Sequence, residues 1–261
     1  MNNAAPILTV SDLHVGFDGF TVLDGMSFTV RRGELRFLIG PNGAGKTTLL
    51  DIITGRTRPQ SGSVRFVPRG ASGPVELIGR DEATIARMGV GRKFQTPSVF
   101  GSLTVSENLE LAANARAGVV RLLGGGGSRG HQVVETILGD TGLTARRNVI
   151  AATLAHGERQ WLEIGMLLAQ DADLLLLDEP VAGMTRPERD RTGELLQRIA
   201  QDRTVVVVEH DMAFLRQFGQ DVTVLHMGRT LVEGPVAEVQ ANPKVIEVYL
   251  GRGARHHQKG A

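Results

Sequence analysis

Apolar positions along this chain follow two rhythms. Near the start they form short runs separated by turns, at residues 7–15, 22–30 and 34–39, a strand-like pattern. The last run, Leu35-Arg36-Phe37-Leu38-Ile39, enters a glycine-rich stretch, and residues 46–53 follow with helical spacing. Between residues 69 and 157 the character changes. Residues 106–117 and 132–142 carry Leu, Ala, Val and Ile at helical spacing, and Leu123-Gly124-Gly125-Gly126-Gly127-Ser128 between them reads as a flexible connection. Beyond 157 the pattern alternates again: helix at 158–169, strand at 174–177, helix at 188–200, then strands at 204–208 and 222–225. Strands that are apolar on both faces need cover on both faces, which implies a largely parallel sheet between layers. The helical middle is then an insertion into an α/β core. The polar end at 252–261 is expected to fray as a solvated tail.

Composition narrows the class. The 261 residues are 41% apolar and 22% charged, ordinary for a globular protein. A net charge of +1 argues against nucleic acid as a partner, since that role normally shows as a basic surplus. With no cysteine, disulfides and thiolate metal sites are excluded. No run reaches the 18 or so apolar residues needed to span a bilayer, and residues 1–11 lack the features of a signal peptide. The expectation is a cytosolic protein whose membrane role, if any, is borrowed from a partner.

Two motifs carry chemistry. Gly40-Pro41-Asn42-Gly43-Ala44-Gly45-Lys46-Thr47 satisfies the full G-x-x-x-x-G-K-[ST] phosphate-loop pattern, in the strand-to-helix setting that such a loop requires. Its glycines let backbone N–H groups face phosphate oxygens at a helix N-terminus. Lys46 is placed to reach the β- and γ-phosphates of ATP, and Thr47 to bind Mg²⁺. The second motif is Leu174-Leu175-Leu176-Leu177-Asp178-Glu179, a buried strand ending in two carboxylates at the sheet edge where the loop also lies. Asp178 suits the Mg²⁺ shell, and Glu179 suits polarisation of an attacking water.

Leu154-Ala155-His156-Gly157-Glu158, followed by Arg159-Gln160-Trp161, resembles the signature motif of the ABC ATPases, commonly Leu-Ser-Gly-Gly-Gln. The resemblance covers residues 8–249 or so. It implies a phosphate-loop ATPase fold with a mixed sheet core, an N-terminal antiparallel β-subdomain and an α-helical subdomain inserted at about 96–160. The whole is one domain over 7–250, with a tail at 251–261. It also implies a head-to-tail pair of ATPase subunits in which Ala155, His156, Gly157 and Glu158 of one chain cap the γ-phosphate held by the other. Phe17 is implied to stack on adenine, Thr48 to adjoin the bound phosphates, Gln95 to touch Mg²⁺ and the attacking water, and His210 to contact the γ-phosphate. Two departures stand out. Ala155 replaces the signature serine, removing a hydroxyl, and Ala182-Gly183-Met184-Thr185 ends in Thr where many members have Asp.

A single phosphate loop with no coiled-coil insertion disfavours translation-factor and DNA-repair relatives. The stretches Val90–Phe100 and Thr104–Leu109 resemble importers of the branched-chain amino-acid type, and Gln160–Leu168 with Pro180–Thr185 resemble the urea-importer ATPases within that group. The implied partners are membrane-spanning permease subunits at the cytoplasmic face of the inner membrane, a second ATPase subunit and, indirectly, an external solute-binding protein. A branched-chain amino-acid importer and a non-hydrolysing regulatory module are the alternatives.

Overall fold

In the computed structural model, residues 5–93, 99–115 and 127–250 are described. The chain opens with strands β1 (Pro6–Phe17) and β2 (Phe20–Arg31), joined by a two-residue turn in which Asp18 and Gly19 both have positive φ, 48° and 82°. That geometry belongs to the tight hairpin turn whose twist matches the flanking strands, and Asp-Gly is its preferred sequence. With β4 (Ser61–Phe66) and β5 (Val75–Glu76) they form an antiparallel sheet ordered β2-β1-β4-β5.

The second sheet is the core. It contains β3 (Leu35–Ile39), β6 (Val90–Lys93), β7 (Leu174–Asp178), β8 (Thr204–Val208), β9 (Asp221–His226) and β10 (Arg229–Pro235), in the order β10-β9-β3-β8-β7-β6. Every neighbouring pair is parallel except β10 with β9. The largely parallel sheet expected from the apolar runs is therefore present, as one mixed sheet.

Alternation along each strand explains both layers. Phe37, Leu175, Leu177, Val205 and Val207 point to one face, where they join the apolar sides of α3 (Val105–Ala115), α4 (Gly127–Thr141), α5 (His156–Ala169), α6 (Arg186–Asp202) and α7 (Met212–Phe218). Leu38, Leu174, Leu176, Val206 and Val208 point to the other, against α1 (Lys46–Ile53) and the antiparallel sheet. Period-two burial on both faces is what a covered parallel sheet demands.

Helices α3, α4 and α5 pack together through Gly165, where a Cβ would come within 3.0 Å of Ile137 and 3.2 Å of Leu109. This is the inserted helical layer, although α5 runs past residue 160 to Ala169. Helix α4 also begins at Gly127, so Gly127 and Ser128 belong to it rather than to the expected flexible connection, of which residues 123–126 lie outside the described residues. Short helices α2 (Glu82–Met88), α8 (Val236–Gln240) and α9 (Pro243–Leu250) complete the described chain. The expected tail at 251–261 also lies outside the described residues.

Candidate functional site

The C-terminal ends of β3, β7 and β8 meet at one edge of the core sheet, and each delivers polar groups there. After β3 the chain passes Gly40, where an added Cβ would collide with the Leu225 carbonyl of neighbouring β9, so the loop can run this close only with glycine. Pro41 O accepts from Ala44 N–H at 3.1 Å, and Gly45, at φ 100°, opens α1. Asn42 and Gly43 lie on the exposed rim of this turn. Gly45 rests against Leu23 of β2, and the Ala44 carbonyl accepts from Gly228 N–H at 3.3 Å, so the antiparallel sheet and the β9–β10 hairpin both brace the loop.

Lys46 is largely buried, and its ammonium donates to the loop's own carbonyls, Gly40 O at 2.6 Å and Pro41 O at 3.1 Å. Burial pulls its pKa down, opposed by the charges of Glu179 and Asp178, which places those carboxylates beside it. Thr47 donates a long hydrogen bond, 3.5 Å, to Asp178 Oδ2. Asp178 is buried at the end of β7, its proton affinity raised by burial and lowered by Arg92, whose Nη2 is 3.7 Å away. Its other oxygen, Oδ1, is buried with no hydrogen-bond partner among the described residues. Glu179 follows in a left-handed conformation, φ 48°, with its N–H held by Val208 O at 2.9 Å. Its Oε1 lies 3.3 Å from His210 Nδ1, just past β8. One edge thus gathers Lys46, Thr47, Asp178, Glu179 and His210.

The Phe17 ring, at the end of β1, is half exposed, five residues before the Val22–Leu23 segment that braces Gly45. Thr48 lies in the first turn of α1. Gln95 lies outside the described residues.

Residues 155–158 stand apart from that edge. Ala155 caps α5 without a side-chain oxygen, while Glu158 reaches back to accept from Ala155 N–H at 3.1 Å, half of a capping box. His156 Nε2 is 2.9 Å from Ala182 O; a carbonyl only accepts, so Nε2 carries the proton. The Glu188 carboxylate fills the space that a Cβ at Gly157 would need, and it is itself held by the Thr185 N–H at 2.8 Å and hydroxyl at 2.6 Å. Among the described residues, hydrogen bonds and ion pairs from 155–158 run to this neighbouring loop and to nearby helix ends, and none reaches residues 40–48.

The ABC transporter family matches residues 23–182. The chain belongs to that family. A second match, to the branched-chain amino acid ATP-binding cassette transporter family, covers residues 229–255. Among curated relatives of this ABC subunit, the high-affinity branched-chain amino acid transport ATP-binding protein LivG of Salmonella typhimurium is 33% identical over 94% of the chain and 98% of LivG. BraF of Pseudomonas aeruginosa, of the same description, is also 33% identical with the same coverage. An ATP-binding cassette of an ABC transporter, MJ1267 in its ADP conformation, superposes with a TM-score of 0.80 at 26% identity over 95% of this chain and all of that one. The fold is that of the ABC ATPases, and the protein is an ATP-hydrolysing transporter subunit.

Five charged residues around this ATPase's site stood in no motif that singled them out. Arg92 donates to Asp51 Oδ1 at 2.5 Å and flanks Asp178. Lys93 forms a buried pair with Glu163 of α5, 3.3 Å apart. Glu209 sits beneath His210. Charges inside a short buried strand, as at Arg92 and Lys93, carry no hydrophobic rhythm that would have exposed them. Glu209 was visible as a carboxylate directly after four apolar valines.

Proposed function

We propose that this chain binds ATP at the sheet edge and hydrolyses it with Glu179 as the water-activating base, driving a solute importer. The observation that carries the reading is the convergence of Lys46, Asp178, Glu179 and His210 at one edge. Lys46 would exchange its two loop carbonyls for β- and γ-phosphate oxygens. Glu179 Oε1 would hold the proton released by the water, and His210, already 3.3 Å from that carboxylate, would turn to the γ-phosphate. Phe17 would stack on the adenine, and Thr48 would adjoin the phosphates.

The residues present fit Mg²⁺. Asp178 Oδ1 is a buried, unpartnered acceptor beside Thr47, and no protein-only cluster of metal ligands occurs among the described residues. Mg²⁺ commonly takes one or two protein oxygens and completes its shell with phosphate and water. Thr47, Asp178 and Gln95 would hold it, and it would neutralise charge on the phosphate oxygens when bound.

The separation of residues 155–158 from the phosphate loop supports a site completed by a second ATPase subunit, with Ala155–Glu158 capping the partner's nucleotide. Ala155→Ser tests the missing hydroxyl. It should add helix-cap stability of about 0.5–2 kcal/mol. It should also speed ATP turnover about tenfold or more, because a hydrogen bond to a charged group is worth about 1.5–3 kcal/mol. A higher melting temperature with unchanged turnover would confine residue 155 to capping.

No helix among the described residues is long and apolar enough to cross a membrane, so coupling requires permease subunits, docked at the cytoplasmic face beside the helical layer. A solute-binding protein would act on those subunits from outside. For the solute we favour urea, on the stretches Gln160–Leu168 and Pro180–Thr185. The second reading, branched-chain amino acids, is supported by the match at 229–255 and by LivG and BraF. Labelled urea and leucine uptake in cells lacking the gene, with and without complementation, separates them. Loss of urea uptake, restored by the wild type and not by Glu179→Gln, is the expected result. Loss of leucine uptake alone would overturn the urea assignment.

A further inference from the structure

Glu209 is the residue directly before His210, and its side chain is only 2% exposed. Its Oε1 accepts from Val181 N–H at 3.4 Å, and its Oε2 accepts from the N–H groups of His210 at 3.1 Å and Asp211 at 3.4 Å. Val181 is two residues past Glu179, and His210 Nδ1 lies 4.0 Å from Glu209 Oε2 as well as 3.3 Å from Glu179 Oε1. One buried carboxylate therefore collects backbone donors from the two loops that carry Glu179 and His210.

The position is costly. Burial pushes the Glu209 carboxyl up, against the backbone hydrogen bonds and His210, which favour its charged form. The preceding residues, Val205–Val208, are all apolar and buried, and a fifth apolar residue would fill this space without that cost. What an apolar residue could not supply is an acceptor shared by two separate loops. At its far side the first of these loops is held again, by His156 on Ala182 O.

We propose that Glu209 is a positioning residue, whose carboxylate ties the His210 loop to Val181 and so fixes where His210 stands relative to Glu179 during phosphoryl transfer. Its role is to keep the two loops in register, so nucleotide capture by the phosphate loop does not depend on it. The inference rests on the roles proposed for Glu179 and His210.

The test is a double-mutant cycle on the full-length chain, reading phosphate release at saturating Mg-ATP, KM and equilibrium ATP binding. Glu209→Gln keeps the shape but replaces one acceptor oxygen by a donor facing N–H groups. It should lower kcat about tenfold or more, a cost typical of a misplaced catalytic group, with KM and ATP affinity within about twofold. In a His210→Ala background the same change should have almost no further effect, because the group it positions is gone. Equal fold-losses in both backgrounds, or a kcat within about twofold of wild type, would overturn the proposal. If Glu209→Gln does not fold, Glu209→Asp runs through the same cycle. It keeps the charge but draws the carboxylate back from Val181, so a smaller loss, again absorbed by His210→Ala, is expected, and an additive one is decisive against. Undiminished hydrolysis by His210→Ala alone is a different result, since it removes the histidine's role on which the inference rests.

Discussion

Glu179→Gln is expected to bind ATP as the wild type does and to hydrolyse it at least about 10²-fold more slowly, the contribution usual for a positioned general base. Glutamine has the same shape and number of side-chain atoms, so the left-handed backbone at φ 48° and the N–H bond to Val208 O should survive. What disappears is the capacity to take a proton from water. The neighbouring charges shift as well. Lys46 loses one of the two carboxylates that sustain its positive charge but keeps Asp178, and the loop carbonyls that hold it remain. Binding should therefore persist while turnover stops, and the ATP-closed pair of subunits should accumulate. Phosphate release and equilibrium ATP binding measured on the same preparation decide the matter. Hydrolysis within about twofold of wild type would remove Glu179 from the base role.

The second large effect is on stability. Lys93 and Glu163 are 2% and 3% exposed, and they join the edge strand β6 to helix α5. Lys93→Met leaves a buried carboxylate without this cation, and Glu163→Leu leaves a buried ammonium without this anion; each should cost about 3–5 kcal/mol. At about 2–4 °C per kcal/mol for a chain of roughly this size, the melting temperature should fall by about 6–20 °C. Combining the two should recover most of that loss, because an apolar pair of similar volume often replaces a buried ion pair without penalty. Hydrolysis should not recover equally. Lys93 also helps keep Asp178 ionised, so the double variant raises the proton affinity of a carboxylate that burial already pushes up. A double variant as unstable as the two single losses added together would show that the pair is not their common cause.

How far the sequence disclosed this molecule depended on what each residue had to satisfy. Residues 46–53 and 204–208 were expected as a helix and a strand with the boundaries they have, because uninterrupted apolar demand and a glycine start leave little choice. Strand β6 escaped notice. Its Val-Gly-Arg-Lys sequence looks like an exposed turn, yet it is buried, with its charges paired by Asp51, Asp178 and Glu163 from other elements. Gly127 and Ser128 were read as connection on composition, since a tract of small residues has no helical rhythm; the turns after them carry the helix. In the site, the phosphate loop and the Asp178-Glu179 pair were legible as local motifs. The tie from His156 to Ala182 O and the bond from Val181 N–H to Glu209 were not, because each joins positions far apart in the chain.

The place of β3 in the sheet has a consequence for how the protein is made. Its hydrogen-bonding neighbours are β8 and β9, at Thr204–Val208 and Asp221–His226. As the polypeptide leaves the ribosome, the β1–β2 hairpin can close at once, but the strand that presents the phosphate loop has no partner until residues beyond 203 emerge. Long-range parallel pairing is also slow. For most of synthesis the nascent chain therefore carries an apolar strand without its sheet partners, an exposure that favours aggregation. The nucleotide can stabilise only a nearly complete chain. A chain truncated before β9 is expected to lack the strand that braces the loop at Gly40.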